Sequence, residues 1–291
     1  MSSAEFDSSR LSLRQLRDAL GGEIVGFESV CDARCYDVRV DSREVSLGSL
    51  FVALPGTALD GREYALDAAR RGASAMLTPT LVEEARREAP DMVQWVHPDA
   101  RRVAGFAASL LRGEPSRDLF TVGVTGTNGK TTVCHLVQQI LQHCGMNAGV
   151  LGTAGHSIAA VNESEKVGNE NFAEFKLENV AATHTTSDGP TLQRLLEQHR
   201  RGGGDAVALE LSSHALDQQR HAGLEVDVAV YTNLTREHLD YHGSLDEYAR
   251  AKAELFSSLR PGAVAVINAQ ASHAEVMIDA ATQAGARIVT Y

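Results

Sequence analysis

No apolar run in these 291 residues approaches membrane-spanning length, which excludes a transmembrane helix on hydropathy grounds. The opening stretch, Met1-Ser-Ser-Ala-Glu-Phe-Asp-Ser-Ser-Arg10, has no hydrophobic signal core, so export is not expected. Basic residues are in deficit: 27 Lys and Arg against 38 Asp and Glu leave a net charge of -11. That balance argues against nucleic acid or an anionic membrane as partner, and a phosphate-bearing substrate would need a local basic pocket. Only four cysteines are present. Cys31 and Cys35 could form part of a metal site, but no second pair at ligand spacing follows. Cys134 and Cys144 read as small core residues of one helix. Internal repeats and low-complexity tracts are absent. Hydrophobic residues at 43% and charged residues at 22% fit a globular, reduced, cytoplasmic protein of about two domains.

The informative positive feature is Thr121-Val-Gly-Val-Thr-Gly-Thr-Asn-Gly-Lys-Thr-Thr132. Phe120, Val122 and Val124 alternate as in a buried strand. Gly126 and Gly129 admit backbone conformations that a Cβ would forbid. After Lys130, the residues Val133, Leu136, Val137, Ile140, Leu141 and Cys144 recur at helical spacing, and Gly145 suits the helix end. Strand, glycine loop and helix N-terminus make an anion site, and a lysine with hydroxyls makes it a site for a nucleoside triphosphate and Mg²⁺. Gly126, Thr127, Asn128, Gly129, Lys130, Thr131 and Thr132 are its candidate ATP contacts. The loop is not a strict Walker A motif, because Val124 occupies the position of that motif's first glycine.

A first domain is expected over 1–112, with a helix starting at Leu11-Ser-Leu-Arg-Gln-Leu16, strands at 38–43, 49–54 and 73–77, and helices at 64–71 and 100–111. Arg112-Gly-Glu-Pro-Ser-Arg-Asp118 reads as a linker. A second domain follows over 118–291, with apolar strands at 206–209, 226–231, 263–267 and 286–289 separated by helical segments. Such alternation implies a mostly parallel α/β sheet with helices on both faces, and ligands at the carboxyl ends of its strands. The polar stretch 155–182 reads as a long loop or hairpin.

Two segments follow strand ends. In Glu210-Leu-Ser-Ser-His214, the carboxylate can face a phosphate-loop Mg²⁺. The alternative is a helix capped by Ser212 or Ser213 with Glu210 solvated. In Thr232-Asn-Leu-Thr-Arg-Glu-His-Leu-Asp-Tyr-His242, His238 and His242 share a face if the segment is helical, without the His-Glu-x-x-His pattern of zinc enzymes.

The loop Thr125-Gly-Thr-Asn-Gly-Lys-Thr-Thr132, the Asn233-Leu-Thr-Arg-Glu-His-Leu-Asp-Tyr-His-Gly243 run and Tyr248-Ala-Arg-Ala-Lys-Ala-Glu-Leu-Phe256 together resemble the Mur ligases. Within them the match is to the MurE type, the UDP-N-acetylmuramoyl-tripeptide synthetases. Asp41-Ser-Arg43, Gly48 to Gly56, Asp60-Gly-Arg62 and Ala68-Ala-Arg-Arg-Gly-Ala73 extend the resemblance into the first domain. The resemblance implies an N-terminal domain that holds uridine diphosphate, contacted by Ser42, Thr57, Ala58 and Leu59, and a P-loop-type central domain. It implies that Thr185, Thr186, Ser212, Gln218 and Arg220 grip the muramoyl peptide. It further implies Mg²⁺ ligands at Thr131, Glu210 and His238, a carbamylated Lys252 as another, Lys130 on the γ-phosphate, and Asn268 on the adenine side. By itself Lys252 sits in an ordinary amphipathic helix, where a lysine is a solvated charge.

The activity implied is ATP-dependent ligation of a diamino acid, diaminopimelate by expectation, to UDP-MurNAc-L-Ala-D-Glu through an acyl phosphate. That places the chain in peptidoglycan synthesis, cell-wall biogenesis, cell shape and cell division, as a cytoplasmic monomer without nucleic-acid or membrane partners. The phosphate loop is shared with folylpolyglutamate synthetases, but Asp41-Ser-Arg43 suits a uridine nucleotide better. A non-catalytic nucleotide-binding fragment is the reading from another class. Three departures stand out: His184 where the family often has Asn, a longer segment before it, and Ala269-Gln-Ala-Ser272 where acidic residues are usual. The third, closing domain of the family is not expected within a chain that ends at Tyr291, nor is full activity.

Overall fold

The computed structural model describes residues 11–26, 32, 34–56, 59–160, 176–182 and 185–291. Cys31, Thr57, Ala58 and His184 lie outside them. The chain forms two compact units, 1–114 with 189–194, and 115–188 with 195–291.

In the first unit, α1 (Leu13–Leu20) begins with a reciprocal cap: the Ser12 hydroxyl accepts from the Gln15 N–H, and the Gln15 side chain accepts from the Ser12 N–H. The strands are β1 (Glu23–Val25), β2 (Asp37–Arg39), β3 (Ser49–Val52), β4 (Ala75–Thr78) and β5 (Val93–Val96). They form a sheet in the order β1-β5-β4-β3-β2, parallel except for β1. The helices are α2 (Ala65–Arg70), α3 (Glu83–Glu88) and α4 (Ala100–Leu111). Side chains alternate across the strands. Leu50, Val52, Ala75 and Leu77 join Leu13, Leu16, Val103 and Ala107 of α1 and α4 on one face. Phe51, Ala53 and Met76 join Ala65, Ala68 and Ala85 of α2 and α3 on the other. The strand expected at 38–43 ends early, because Asp41 caps a 3₁₀ turn, Ser42–Glu44, by accepting from the Arg43 N–H.

In the second unit, β6 (Phe120–Thr125) runs through the phosphate loop into α5 (Lys130–His143). Then come β7 (Ala148–Gly152), β8 (Gly155–Ala159), β9 (Leu177–Val180), α6 (Gly189–Arg201, of which 189–194 group with the first unit), β10 (Ala206–Glu210), α7 (Ser213–Asp217), β11 (Val228–Tyr231), α8 (Leu239–His242), α9 (Leu245–Ser257), β12 (Val264–Ile267), α10 (Ala274–Gln283) and β13 (Arg287–Thr290). The sheet order is β13-β12-β11-β6-β10-β7-β8-β9. The strands from β13 to β7 are parallel, and β8 and β9 add an antiparallel edge. The stretch expected as a loop or hairpin is thus a strand pair over its described residues. β6 lies between β10 and β11, so the chain crosses over it between those strands, and their carboxyl ends open into one crevice.

The face of α5 departs from the sequence reading. Cys134 and Gln138 are buried, whereas Leu136 is 53% and Ile140 60% exposed. At about 100° per residue, Leu136 and Ile140 fall on the side away from Cys134. Cys144, expected in the core, is exposed just past the helix end. Among the described residues, no helix is long and apolar enough to cross a membrane.

Candidate active site

The phosphate loop is built by its neighbour strand as much as by its own glycines. Thr127 N–H donates to Asn233 O at 2.8 Å, and Asn128 N–H to Asn233 Oδ1 at 3.0 Å. Thr232 Oγ1 donates to Asn128 O at 2.7 Å. Gly126 has φ +146°, and a Cβ there would stand 1.9 Å from Thr232 Oγ1. Gly129, at φ +87°, precedes the helix with open space beside it. The first N–H groups of α5 have no partner within the helix and face the same opening.

Lys130 folds over this loop, its ammonium donating to Gly126 O and Thr127 O at 2.9 Å each. Burial lowers its pKa, against the pull of Glu210 and Glu237. Thr131 Oγ1 donates to Glu210 Oε2 at 2.9 Å, joining the helix start to the end of β10. Glu210 is 1% exposed. Thr153, in the turn between β7 and β8, donates its N–H to Oε1 of the same carboxylate at 2.9 Å and its hydroxyl to Oε2 at 3.1 Å. Gly152 permits this approach, since a Cβ there would lie 2.1 Å from Glu210 Oε1.

On the other side of Glu210, Thr186 Oγ1 donates to the Glu210 carbonyl at 2.7 Å and accepts from Ser212 N–H at 3.1 Å. Arg220 donates to Thr186 O at 3.1 Å and, through Nε and Nη2, to Gln218 Oε1. Gln218 Nε2 in turn donates to the Tyr241 hydroxyl at 3.2 Å. The Ser212 hydroxyl caps α7, accepting from Ala215 N–H at 3.3 Å, so the helix-cap reading of that serine holds as well. The candidates Thr131, Thr186, Glu210, Ser212, Gln218 and Arg220 therefore share one hydrogen-bonded network.

His238 begins α8 with a left-handed backbone, φ 54°. Its ring meets His214 edge-on, with centroids 4.8 Å apart, and lies 6.1 Å from the Tyr248 ring. Lys252 is 1% exposed, not solvated, and its Nζ stands 4.3 Å from the Tyr248 ring centroid. Burial, followed by the nearby Lys130 charge, pulls its pKa down to about 7. Tyr248 also approaches the phosphate loop, its hydroxyl 3.2 Å from Thr127 Oγ1. Burial lowers the pKa of His214 and His242 too. Lys130 and Arg220 place positive charge beside the Glu210 network, as an acidic chain needs for an anionic ligand.

The remaining candidates stand apart. Asn268 is engaged at the end of β12, donating to Thr232 O at 2.9 Å and accepting from Gln270 N–H at 3.1 Å. Thr132 is exposed in the first turn of α5. Within the first unit, Ser42 is buried and hydrogen-bonds Asp67, and Leu59 is 65% exposed. Thr153, Thr232 and Asn233 were absent from the sequence candidates. The rule that ligands sit at strand ends points to all three, since each follows a parallel strand of the sheet.

The donors suit Mg²⁺ chemically: a buried carboxylate and a threonine hydroxyl are hard oxygen ligands beside an anion cradle. Among the described residues, no three His, Cys, Asp or Glu side chains gather as a cation cage. Mg²⁺ usually keeps waters and is completed by substrate phosphates, so one carboxylate beside a phosphate loop fits that habit.

Residues 124–291 match the Mur ligase middle domain, and residues 35–110 match the catalytic domain of the Mur ligase family. The chain belongs to the Mur ligase family. It is 42% identical over 230 residues to the UDP-N-acetylmuramoyl-L-alanyl-D-glutamate--2,6-diaminopimelate ligase of Ectopseudomonas mendocina, covering 76% of this chain and 42% of that protein. To the ligase of the same name from Halalkalibacterium halodurans it is 38% identical over 288 residues, 97% of this chain and 53% of the relative. A solved structure of a ligase of that name superposes with a TM-score of 0.76 at 32% identity, over 97% of this chain and 52% of the other. This Mur ligase chain thus spans about half the length of the relatives it matches.

Proposed function

We propose that this chain forms the nucleotide- and acceptor-holding part of a ligase that uses ATP to add 2,6-diaminopimelate to UDP-N-acetylmuramoyl-L-alanyl-D-glutamate. The relatives' names supply the reaction. The observation that carries the reading is the joining of Thr131 and Glu210 at the mouth of a glycine loop, with Lys130 and the buried Lys252 beside it. In this reading 1–112 holds the uridine nucleotide around Ser42 and 57–59, and 118–291 holds ATP and the peptide end of the acceptor. The setting is cytoplasmic and the chain monomeric.

Each residue has a task set by its place. The first-turn N–H groups of α5 and the Lys130 ammonium receive the β- and γ-phosphates. Lys130 leaves two carbonyl partners for the phosphate, and its positive charge is strengthened there by an anion in a site of low polarity. Thr131 and Glu210 would hold one Mg²⁺, with His238 and a carbamylated Lys252 at a second. When bound, the metal supplies positive charge to the transferring phosphoryl group. Arg220, held by Gln218 and Thr186, meets the acceptor carboxylate, and Thr185 and Ser212 orient it. The acceptor carboxylate oxygen would attack the γ-phosphorus of ATP with ADP as leaving group, and the amine of the diamino acid would then displace phosphate from the acyl carbon and release a proton.

Lys130→Ala tests this. By calorimetry, MgATP should bind at least about tenfold more weakly than to the wild type, while the chain still unfolds in a cooperative transition. Equal affinity would remove the phosphate loop from the reading. UDP titrated onto the chain should shift resonances of the first unit, and silence at millimolar UDP would remove the uridine assignment.

A further inference from the structure

Thr153 has no role in the reading above, yet it makes the most complete set of contacts to Glu210. Its N–H and hydroxyl take one carboxylate oxygen each, at 2.9 and 3.1 Å. It sits in the two-residue turn between β7 and β8, where Gly152 pairs with Gly155. A turn of that length fixes both donors relative to the sheet. Its hydroxyl oxygen is also 3.1 Å from Thr185 Oγ1. A hydroxyl has one proton and two acceptor pairs. The Thr153 hydroxyl is placed to donate to either Glu210 Oε2 or Thr185 Oγ1, and its one proton favours the anionic carboxylate, the stronger acceptor. The hydroxyl chain then runs from Thr185 through Thr153 to Glu210.

Thr131 is the third donor on this carboxylate, at Oε2. A cation held by Thr131 and Glu210 would take the threonine's oxygen as a ligand and turn its proton away. Glu210 would then keep only the two Thr153 donors to set the plane of its carboxylate and the direction of its remaining lone pairs. We infer that Thr153 is a positioning residue for Glu210, tuning the site's affinity for Mg²⁺ and tying the nucleotide side to the Thr185-Thr186 segment. This rests on the reading that Glu210 meets Mg²⁺. Partners that orient a ligating side chain typically carry about 10- to 100-fold in metal affinity. Thr153→Val keeps shape and backbone N–H and deletes the hydroxyl alone, so the lower end of that range applies.

The test is calorimetric titration of ATP onto the whole chain, with Mg²⁺ and with the metal chelated, for the wild type, Thr153→Val, Thr153→Ser and Glu210→Gln. The expected result is a loss of about tenfold in Mg²⁺-dependent ATP affinity for Thr153→Val, recovery with Thr153→Ser, and unchanged metal-free binding. Glu210→Gln should lose at least as much. If Glu210→Gln weakens the Mg²⁺-dependent binding and Thr153→Val does not, the inference falls and the functional reading stands. If Thr153→Val weakens ATP equally with and without metal, the residue only shapes the turn and the inference falls. If Glu210→Gln changes nothing, the metal role of Glu210 fails and takes the inference with it.

Discussion

Replacing Lys252 by methionine should make this protein more stable while removing the group on which its proposed chemistry depends. Lys252 is 1% exposed, its Nζ lies over the Tyr248 ring, and its pKa falls from an ordinary 10.5 to about 7. Each tenfold change in proton affinity is worth about 1.4 kcal/mol, so the fold opposes the charged lysine by something of order 5 kcal/mol. The ring face returns only about 1–2 kcal/mol of cation–π attraction, so burial wins. The folded pKa lies below the unfolded one. The stabilising contribution is therefore complete above pH 10.5 and lost as pH falls toward 7. Methionine fills similar space without a charge. Guanidinium unfolding should show Lys252→Met more stable than the wild type by at least about 2 kcal/mol at pH 7, after allowance for local relaxation. Most of that gap should close by pH 9.5, because the folded lysine is largely neutral above pH 7 and unfolding gains less from taking up a proton as pH approaches 10.5. A variant less stable than the wild type at pH 7, or a gap that does not narrow with pH, would refute the reasoning. A site that holds an unfavourable lysine is the pattern expected where stability has been traded for reactivity.

Gly126→Ala should lower the melting temperature and weaken ATP binding together, because its Cβ would meet Thr232 Oγ1 at 1.9 Å from a backbone at φ +146°. The strain expected is about 1–3 kcal/mol, and an unchanged melting curve would contradict it. His199 is fully buried, accepts from Ala159 N–H through Nδ1 at 2.9 Å, and has Nε2 2.8 Å from Ala206 O, a pairing that requires the neutral ring. Burial lowers its pKa, so it stabilises the fold above its unfolded pKa of about 6.5, and this is lost as pH falls through the folded value. His199→Gln should be less stable at neutral pH but show a flatter decline between pH 7 and 5, whereas an identical acid slope would exclude the histidine as its source. Leu136→Glu and Ile140→Glu should each change the unfolding free energy by no more than about 0.5 kcal/mol, because both side chains face solvent, and a loss above 1 kcal/mol would show that face to be covered.

The features readable in advance are local ones. The glycine loop announces itself because its backbone, lysine and hydroxyls are consecutive, and the start of α1 because Leu11-Ser-Leu-Arg-Gln-Leu16 is one contiguous run. The parallel sheet follows from apolar runs alternating with helices. What escaped depends on remote partners. β5 contains Gln94 in mid-strand, which breaks an apolar run, yet Gln94 is 1% exposed. Its amide exchanges two bonds with the Val82 backbone at 2.9 Å each, so the polar group is satisfied inside. α3 reads Glu83-Glu-Ala-Arg-Arg-Glu88, charged nearly throughout, and only Ala85 is buried. Its helical character has too short an apolar stripe to register. On α5, apolar spacing alone could not say which side the sheet would cover.

The same distinction governs the site. The proximity of Thr131 and Glu210 is foreshadowed by the rule that adjacent parallel strands end in one crevice, because one residue opens the helix after β6 and the other closes β10. Thr153 obeys the same rule from β7, but a threonine in a turn has a local explanation that hides a second one. Lys252 shows the limit most sharply. Its own helix is unremarkable: Tyr248 at i−4 is a common helical neighbour, and Lys130, whose charge helps lower the lysine's pKa, lies far away in sequence. A lysine's reactivity is a property of how thoroughly its neighbours exclude water, so composition and spacing leave it open. A carbamate would need the neutral amine that this burial favours, yet it is itself an anion that the same burial opposes. Its charge would have to be balanced by Lys130 and a bound cation, so burial promotes the reaction without by itself stabilising the product.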